Sequence, residues 1–406
     1  MINKISFKGY KCFQEQQELE LKPITILIGK NSSGKSAITK LPVLIEDSLS
    51  RSTPEPISYT IDKVELGAEY RDLFYGKPFS GGIISLSLES ESDILEAYIT
   101  FASSERASKP LIYSWKFNDS HDLQYNDTSK AYRNRITGKE LNCEFKGLLP
   151  KEFNPIQDEM KEIAPNIPET FNLKANYIGP FRIFAQEMRL FPLSTGISDY
   201  TKVGVDGRLA YDILAKESLE SNSDILDNVS KWTQENFEGW AIKVDIDKKP
   251  YYSVNLYREK PSYFSINISD VGQGISQALP LVVSAFIPDN KRLTIIEQPE
   301  LHLHPAAHGN LAQLFAETAL KYEKKYLIET HSQNFVLRLR RLVAEQKISN
   351  NDVAIYWIDN DEESNSSNIR AINIDEYGNV DYWPENVFSE ALDESIAIRT
   401  AQIERT

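Results

Sequence analysis

The apolar positions of this chain fall into two rhythms. Alternating or continuous apolar runs predict strands at Lys4–Phe7, Gln17–Leu21 and Ile24–Ile28, with Gly9-Tyr10-Lys11-Cys12-Phe13 joining the first two. From about Pro56 to Tyr113 short runs such as Ile83–Leu88 and Ala97–Phe101 recur between Gly and Ser clusters, which predicts a β-rich lobe. Asn118–Lys139 is polar and without period, and reads as a long, mobile loop or a frayed hairpin. Between Asp206 and Phe237 the rhythm turns helical, through Leu209, Ile213 and Leu214 and then Ile225, Leu226, Val229 and Trp232. That stretch predicts a compact helical insertion, its apolar seams far too short for long coiled-coil arms. A strand ending at Tyr177–Ile178 meets the sharp turn Gly179-Pro180, beyond which Arg182 faces either a phosphate or a carboxylate. Leu293–Ile296 and Lys325–Ile328 read as further buried strands, and Ile275–Val283 as a helix with Pro280 near its first turn.

One polar segment interrupts this pattern with its own logic. Gly29-Lys30-Asn31-Ser32-Ser33-Gly34-Lys35-Ser36 follows the Ile24–Ile28 run, fits G-x-x-x-x-G-K-[ST], and leads into a helix from Ala37. Backbone N–H groups at a helix start, reinforced by the helix dipole, suit the phosphates of a nucleoside triphosphate. Gly29 and Gly34 allow the tight turn, Lys35 neutralises the β/γ oxygens, and the Ser36 hydroxyl suits Mg²⁺. The expected ligands are a nucleoside triphosphate and Mg²⁺, with Gly29 to Ala37 as the binding loop.

The second half supplies candidates for the remaining chemistry. Leu293–Ile296 stops at Glu297, the way a central parallel strand presents an acid beside a phosphate loop, and Ser36 with Glu297 would give Mg²⁺ its protein oxygens. His331 in Glu329-Thr330-His331-Ser332, just beyond a second strand, can reach a γ-phosphate or the attacking water. Gly272 and Gly274 precede a helix and make a second anion-suited helix start, which in a chain with one phosphate loop points to the nucleotide of another copy. His302, His304 and His308 invite a metal reading. Pro305 suits the first turn of a helix that starts after His304, so an interface and positioning role is preferred to zinc. Arg338, Arg340 and Arg341 read as a solvated helix face, with nucleic-acid contact as the alternative.

Composition narrows the class further. With 406 residues, 41% of them hydrophobic, the chain can build one large domain or two. A net charge of −14 argues against indiscriminate nucleic-acid binding, so a DNA contact would need a local basic patch or a basic partner. The 2 cysteines, Cys12 and Cys143, cannot form a disulfide framework and are expected to be reduced thiols of a cytoplasmic protein. Met1–Ile5 lacks a signal-peptide apolar segment, and no run approaches the ~18 apolar residues of a membrane span.

Together these residues resemble the ABC-type ATPase head of the RecF, SMC and OLD (overcoming lysogenization defect) branch. Ile2 to Ser36 is similar to its N-terminal strand pair and Walker A, Asp270 to Gln277 to a degenerate signature, Leu293 to Pro305 to Walker B and D-loop, and Glu329 to Ser332 to the switch-histidine motif. Tyr377 to Pro384 is similar to a C-terminal module of a bacterial subgroup of OLD-like ATPases. The resemblance implies an α/β fold: an ABC-ATPase head with a mixed or parallel P-loop sheet core, a β-rich N-terminal lobe and a helical insertion. Its parts would be an N-terminal ATPase lobe at 1–180, the insertion at 181–265, a C-terminal ATPase lobe at 266–345 and a C-terminal module at 346–406. It also implies a homodimer at least, with two heads sandwiching two ATP molecules.

Two departures bear on activity. The branch has Asp-Glu before Pro where this chain has Glu297-Gln298-Pro299, so the catalytic carboxylate falls on Gln298. An amide orients water but takes no proton at neutral pH, which predicts slow hydrolysis unless Glu300, His304 or His331 serves as base. The signature also lacks its serine, leaving Ser269 or backbone amides near Gly272 to meet the phosphate. Asp359, Asp361, Glu362 and Glu363 read as a loop cluster unsuited to a two-metal nuclease, so a separate Toprim or HNH effector is expected, as in PARIS-type and Septu-type defence systems. The competing readings are an ATP-closed scaffold, a RecF-type repair ATPase and, more weakly, an autonomous nuclease.

Overall fold

The continuous apolar runs of the sequence end up side by side. In the computed structural model, which describes all residues except 51, 80, 102–108, 156–164, 166, 170, 192–199, 221–223, 247–249, 261–262, 290, 362, 385–386, 388–389 and 404–406, they form a 6-stranded sheet. Its strands are β1 (Ile24–Gly29), β2 (Ala175–Ile178), β3 (Leu293–Glu297), β4 (Lys325–Glu329), β5 (Val353–Asp361) and β6 (Ser366–Ile372), in the order β2-β3-β4-β1-β5-β6. Neighbours are parallel except β5 with β6.

Both faces of this sheet are covered, which is why its strands read as unbroken apolar runs. On one face Leu27, Ile295, Leu327 and Ile358 pack with Ile38, Leu41 and Leu44 of α1 (Lys35–Leu49) and with the N-terminal strands. On the other, Ile26, Ile28, Ile296, Ile328 and Ile355 meet α2 (Leu209–Glu217), α3 (Asp224–Asn236), α4 (Gln273–Phe286), α5 (Pro305–Lys321) and α6 (Gln333–Ala344). Each fully buried side chain of this size contributes about 1.5–3 kcal/mol.

A 9-stranded antiparallel sheet lies against the α1 side. Lys4–Lys8 pairs with Gln17–Glu20 and with Ile83–Glu89, from which a meander continues to Leu149–Pro155. Of the two readings of Asn118–Lys139, loop or hairpin, the hairpin is correct. It holds the paired strands His121–Asn126 and Ala131–Asn134, with Leu123 and Tyr132 buried and the Tyr132 hydroxyl donating to Ile112 O at 2.7 Å. Its apolar residues are too sparse to show a period, but cross-strand partners on either side hold them in place.

Three other expectations change in detail. Helix α4 starts at Gln273, and Pro280 sits in its interior, not its first turn, beside Gly207, where a Cβ would lie 2.5 Å from the proline ring. Segment 181–265 carries α2 and α3 but also the antiparallel strands Arg189–Leu190, Ala241–Asp245, Tyr251–Arg258 and Phe264–Asn267, because Tyr252, Val254 and Leu256 alternate inward. Segment 346–406 supplies β5 and β6 to the central sheet, so Asp359 and Asp361 are strand residues, while Glu362 lies outside the described residues. Arg338, Arg340 and Arg341 are each engaged within the chain, with Gln313 at 2.6 Å, Gly378 O at 2.8 Å and Glu345 at 2.6 Å. Among the described residues no helix is long and apolar enough to cross a membrane.

Candidate functional site

The phosphate-loop segment leaves β1 at the middle of the sheet and turns into α1. Gly34 has φ 103°, and a Cβ there would meet Cys12 Sγ at 2.5 Å and the Phe13 ring at 3.0 Å, so only glycine fits. No side chain caps α1, which leaves its first N–H groups open to an anion. Lys35 is buried and curls over the loop, its Nζ donating to Gly29 O at 2.9 Å and Lys30 O at 2.6 Å. Burial pushes the Lys35 ammonium down while the charges of Glu329 and Glu300 pull it back up. The Ser33 hydroxyl is buried without a partner, an orphan that a ligand oxygen would satisfy.

Two carboxylates face this loop from neighbouring strand ends. Glu297 and Glu329 are register partners in β3 and β4, so the pleat turns both side chains to the α1 face. Ser36 Oγ donates to Glu329 Oε2 at 3.0 Å, and Thr39 Oγ1, one turn along α1, donates to Glu297 Oε1 at 2.5 Å. The immediate partner of Ser36 is therefore Glu329 and not Glu297, because β4 lies between β3 and β1. Burial, and then the charge of Glu297, push the Glu329 carboxyl up to about 7 against the pull of Lys35 and the Ser36 hydrogen bond. Neither Glu329 nor Thr39 is singled out by the sequence, whereas Arg182 is. For Glu329 the missing signal was its strand-end position, the same one that singled out Glu297.

The turns beyond these strands interlock. Glu300 accepts the Thr330 hydroxyl at 2.9 Å and the His331 N–H at 2.6 Å, so it shapes the His331 turn. Burial, and then the nearby Lys35 charge, lower the His331 imidazole and favour its neutral form. Gln298 has φ 48°, and its N–H donates to Glu329 O at 2.8 Å. Among the described residues Arg182 hydrogen-bonds no carboxylate and no oxygen of the phosphate loop. Its Nη2 donates to the carbonyls of Glu297 and Gln298 at 2.9 and 3.0 Å, and burial lowers the guanidinium to about 10. His304 caps α5 by accepting Ala306 N–H at 3.3 Å, with Pro305 in its first turn. His308 bonds Ser332 Oγ at 2.8 Å and Leu303 O at 3.2 Å, tying α5 to α6.

Gly272 and Gly274 lie on a separate part of the surface. A Cβ on Gly272 would meet nothing within 4 Å, and no side chain caps α4. The two glycines border a groove of about 490 Å³ with Trp240, Leu303, His304 and Asn310. The Ser269 hydroxyl is taken up by Asn267 at 2.8 Å.

The donor set beside the phosphate loop is all oxygen: Ser36, Glu329, Glu297. Among the described residues no group of three or more His, Cys, Asp or Glu forms a protein-only metal cage. This set fits a hard cation that shares its shell with phosphate and water, as Mg²⁺ does.

Residues 1–336 match the AAA ATPase domain family, and residues 348–395 match a family described as a protein of unknown function, DUF3696. The OLD nuclease of Thermus scotoductus is 21% identical over 398 aligned residues, and the match covers 91% of this chain but only 66% of that protein. Among solved structures, the SMC head bound to the C-winged helix domain of ScpA has a TM-score of 0.50 at 11% identity, covering 92% of this chain and 98% of that one. The SMC head domain from Thermotoga maritima has a TM-score of 0.44 at 11% identity, covering 92% and 99%. A family match over residues 1–336 establishes that this chain, with its phosphate loop at the centre of a mostly parallel sheet and a fold similar to that of an SMC head, belongs to the AAA ATPase domain family.

Proposed function

We propose that the chain binds Mg²⁺ and ATP at Gly29 to Ala37, closes as a dimer in which Gly272 and Gly274 of a second copy meet the same nucleotide, and hydrolyses ATP slowly. The observation that carries this reading is the double pairing of α1 with the strand ends, Ser36 to Glu329 and Thr39 to Glu297, beside Lys35. Lys35 would exchange the carbonyls of Gly29 and Lys30 for phosphate oxygens. Mg²⁺, once bound by Ser36, Glu297 and Glu329, would polarise those oxygens. Gln298 would orient the attacking water but cannot accept its proton, which leaves neutral His331 as the base, its turn shaped by Glu300.

A slow base makes the closed state long-lived, and ATP then acts as a ligand that shifts the population toward the dimer. The likeness to an OLD nuclease supports a DNA-related role, and we assign the chain to cytoplasmic bacterial anti-phage defence with a separate Toprim or HNH effector. The amide at Gln298 favours a second reading, a scaffold that ATP closes and hydrolysis hardly opens. Single-turnover hydrolysis separates the two. A slow wild type with Gln298→Glu faster by about a hundredfold supports the scaffold. Slow turnover that nonetheless dissolves the ATP-closed dimer removes the scaffold, and equal, brisk rates remove both readings.

A further inference from the structure

A buried guanidinium lies between the strand-end acids and helix α4. Arg182 follows β2 at the Gly179-Pro180 turn and is 5% exposed. Its Nη2 holds the carbonyls of Glu297 and Gln298 at 2.9 and 3.0 Å, while its own carbonyl accepts Gln277 Nε2 of α4 at 3.3 Å. Gln277 is itself buried. The Glu297–Gln298 peptide is thus gripped from one side by Arg182 and from the other by β4, through the Gln298 N–H to Glu329 O. Gln298 needs that grip, since φ 48° lies in the left-handed region that disfavours side-chain-bearing residues.

The far end of α4 is tethered as well. Lys324, just before β4, donates its Nζ to the carbonyls of Ser284, Ala285 and Ile287 at 2.6, 3.3 and 3.0 Å. Helix α4 is therefore joined to the exit of β3 through Arg182 and to the entry of β4 through Lys324. Arg182 also keeps Nε and Nη1 buried without partners. An arginine retained only for packing would ordinarily spend those donors, because a buried unmet N–H is costly.

We propose that Arg182 is a positioning residue that aims Glu297 and couples it to α4, so that docking at the Gly272 helix start changes how tightly the strand-end acids hold a divalent cation. This rests on the nucleotide-site reading above. The test titrates Mg²⁺ into the full chain and follows labelled ATP by equilibrium dialysis, with a chelated series for metal-free affinity. In Arg182→Ala the half-saturating Mg²⁺ should rise about tenfold with metal-free ATP affinity unchanged, as loss of an outer-shell support does. Added guanidinium at low millimolar concentration should restore the wild-type value in that variant and leave wild type unaltered. Gln277→Met, which cuts only the tether to α4, should shift the same midpoint by a smaller factor, and it carries the test if Arg182→Ala does not fold. Wild-type Mg²⁺ dependence in the folded variant overturns the coupling alone. A wild type that binds no ATP, or a Lys35→Ala variant that binds it normally, overturns the nucleotide site and this inference with it.

Discussion

Among the described residues, the starts of α1 and α4 are both led by glycine without a side-chain cap, and they are opposites. At α1, Gly34 is wedged against Cys12 and Phe13 with φ 103°, and the lysine after it is buried among carbonyls and acids. At α4, Gly272 has an ordinary φ of −57° and open space around it. The same physics, unpaired N–H groups at the positive end of a helix dipole, is enclosed in one place and left open in the other. An enclosed start can bind a ligand by itself, whereas an open one needs another surface to complete it.

Substitutions at these places test the contrast, from the largest effect down. Gly34→Ala should abolish ATP binding and cost about 1–3 kcal/mol of stability, read by dialysis and thermal melts, because the new methyl meets Cys12 in a strained backbone. Glu329→Gln separates the acids of the enclosed site through pH. The folded Glu329 keeps its proton up to about 7 while the unfolded chain loses it near 4.5, so the wild type loses stability as pH rises across that window. Above it the glutamine variant should be more stable by up to about 3 kcal/mol, with no advantage below it. Melts at either end of the range decide this, and an advantage that does not vary with pH would remove the account of a carboxyl raised by burial and by the Glu297 charge. Gly272→Ala should leave stability within about 0.5 kcal/mol and leave ATP binding to the single copy intact. Its expected effect is on ATP-driven association alone, weakened roughly tenfold in sedimentation.

Local signals in the sequence carried the enclosed site a long way. The phosphate loop is contiguous, so its residues could be assigned before any fold was known, and Glu297 and His331 stood out as polar residues ending apolar runs. Pairings were less legible. The sequence assigns Ser36 and Glu297 to one metal ion but leaves their direct protein partners open. Only the strand order, with β4 between β3 and β1, brings Glu329 to Ser36 and sends Glu297 to Thr39. Arg182 follows a legible Gly179-Pro180 turn, but its partners are carbonyls more than a hundred residues later, which no local pattern marks.

The amino-acid order by itself determined the strand and helix rhythm and the phosphate-loop motif, both of which depend on neighbours within a few residues. Tertiary structure alone decided that the polar Asn118–Lys139 stretch is sheet, that the last segment completes the central sheet, and which acid meets which hydroxyl. These outcomes hang on contacts between distant segments, where the energy of a pairing depends on what lies alongside and leaves no period in the chain to read.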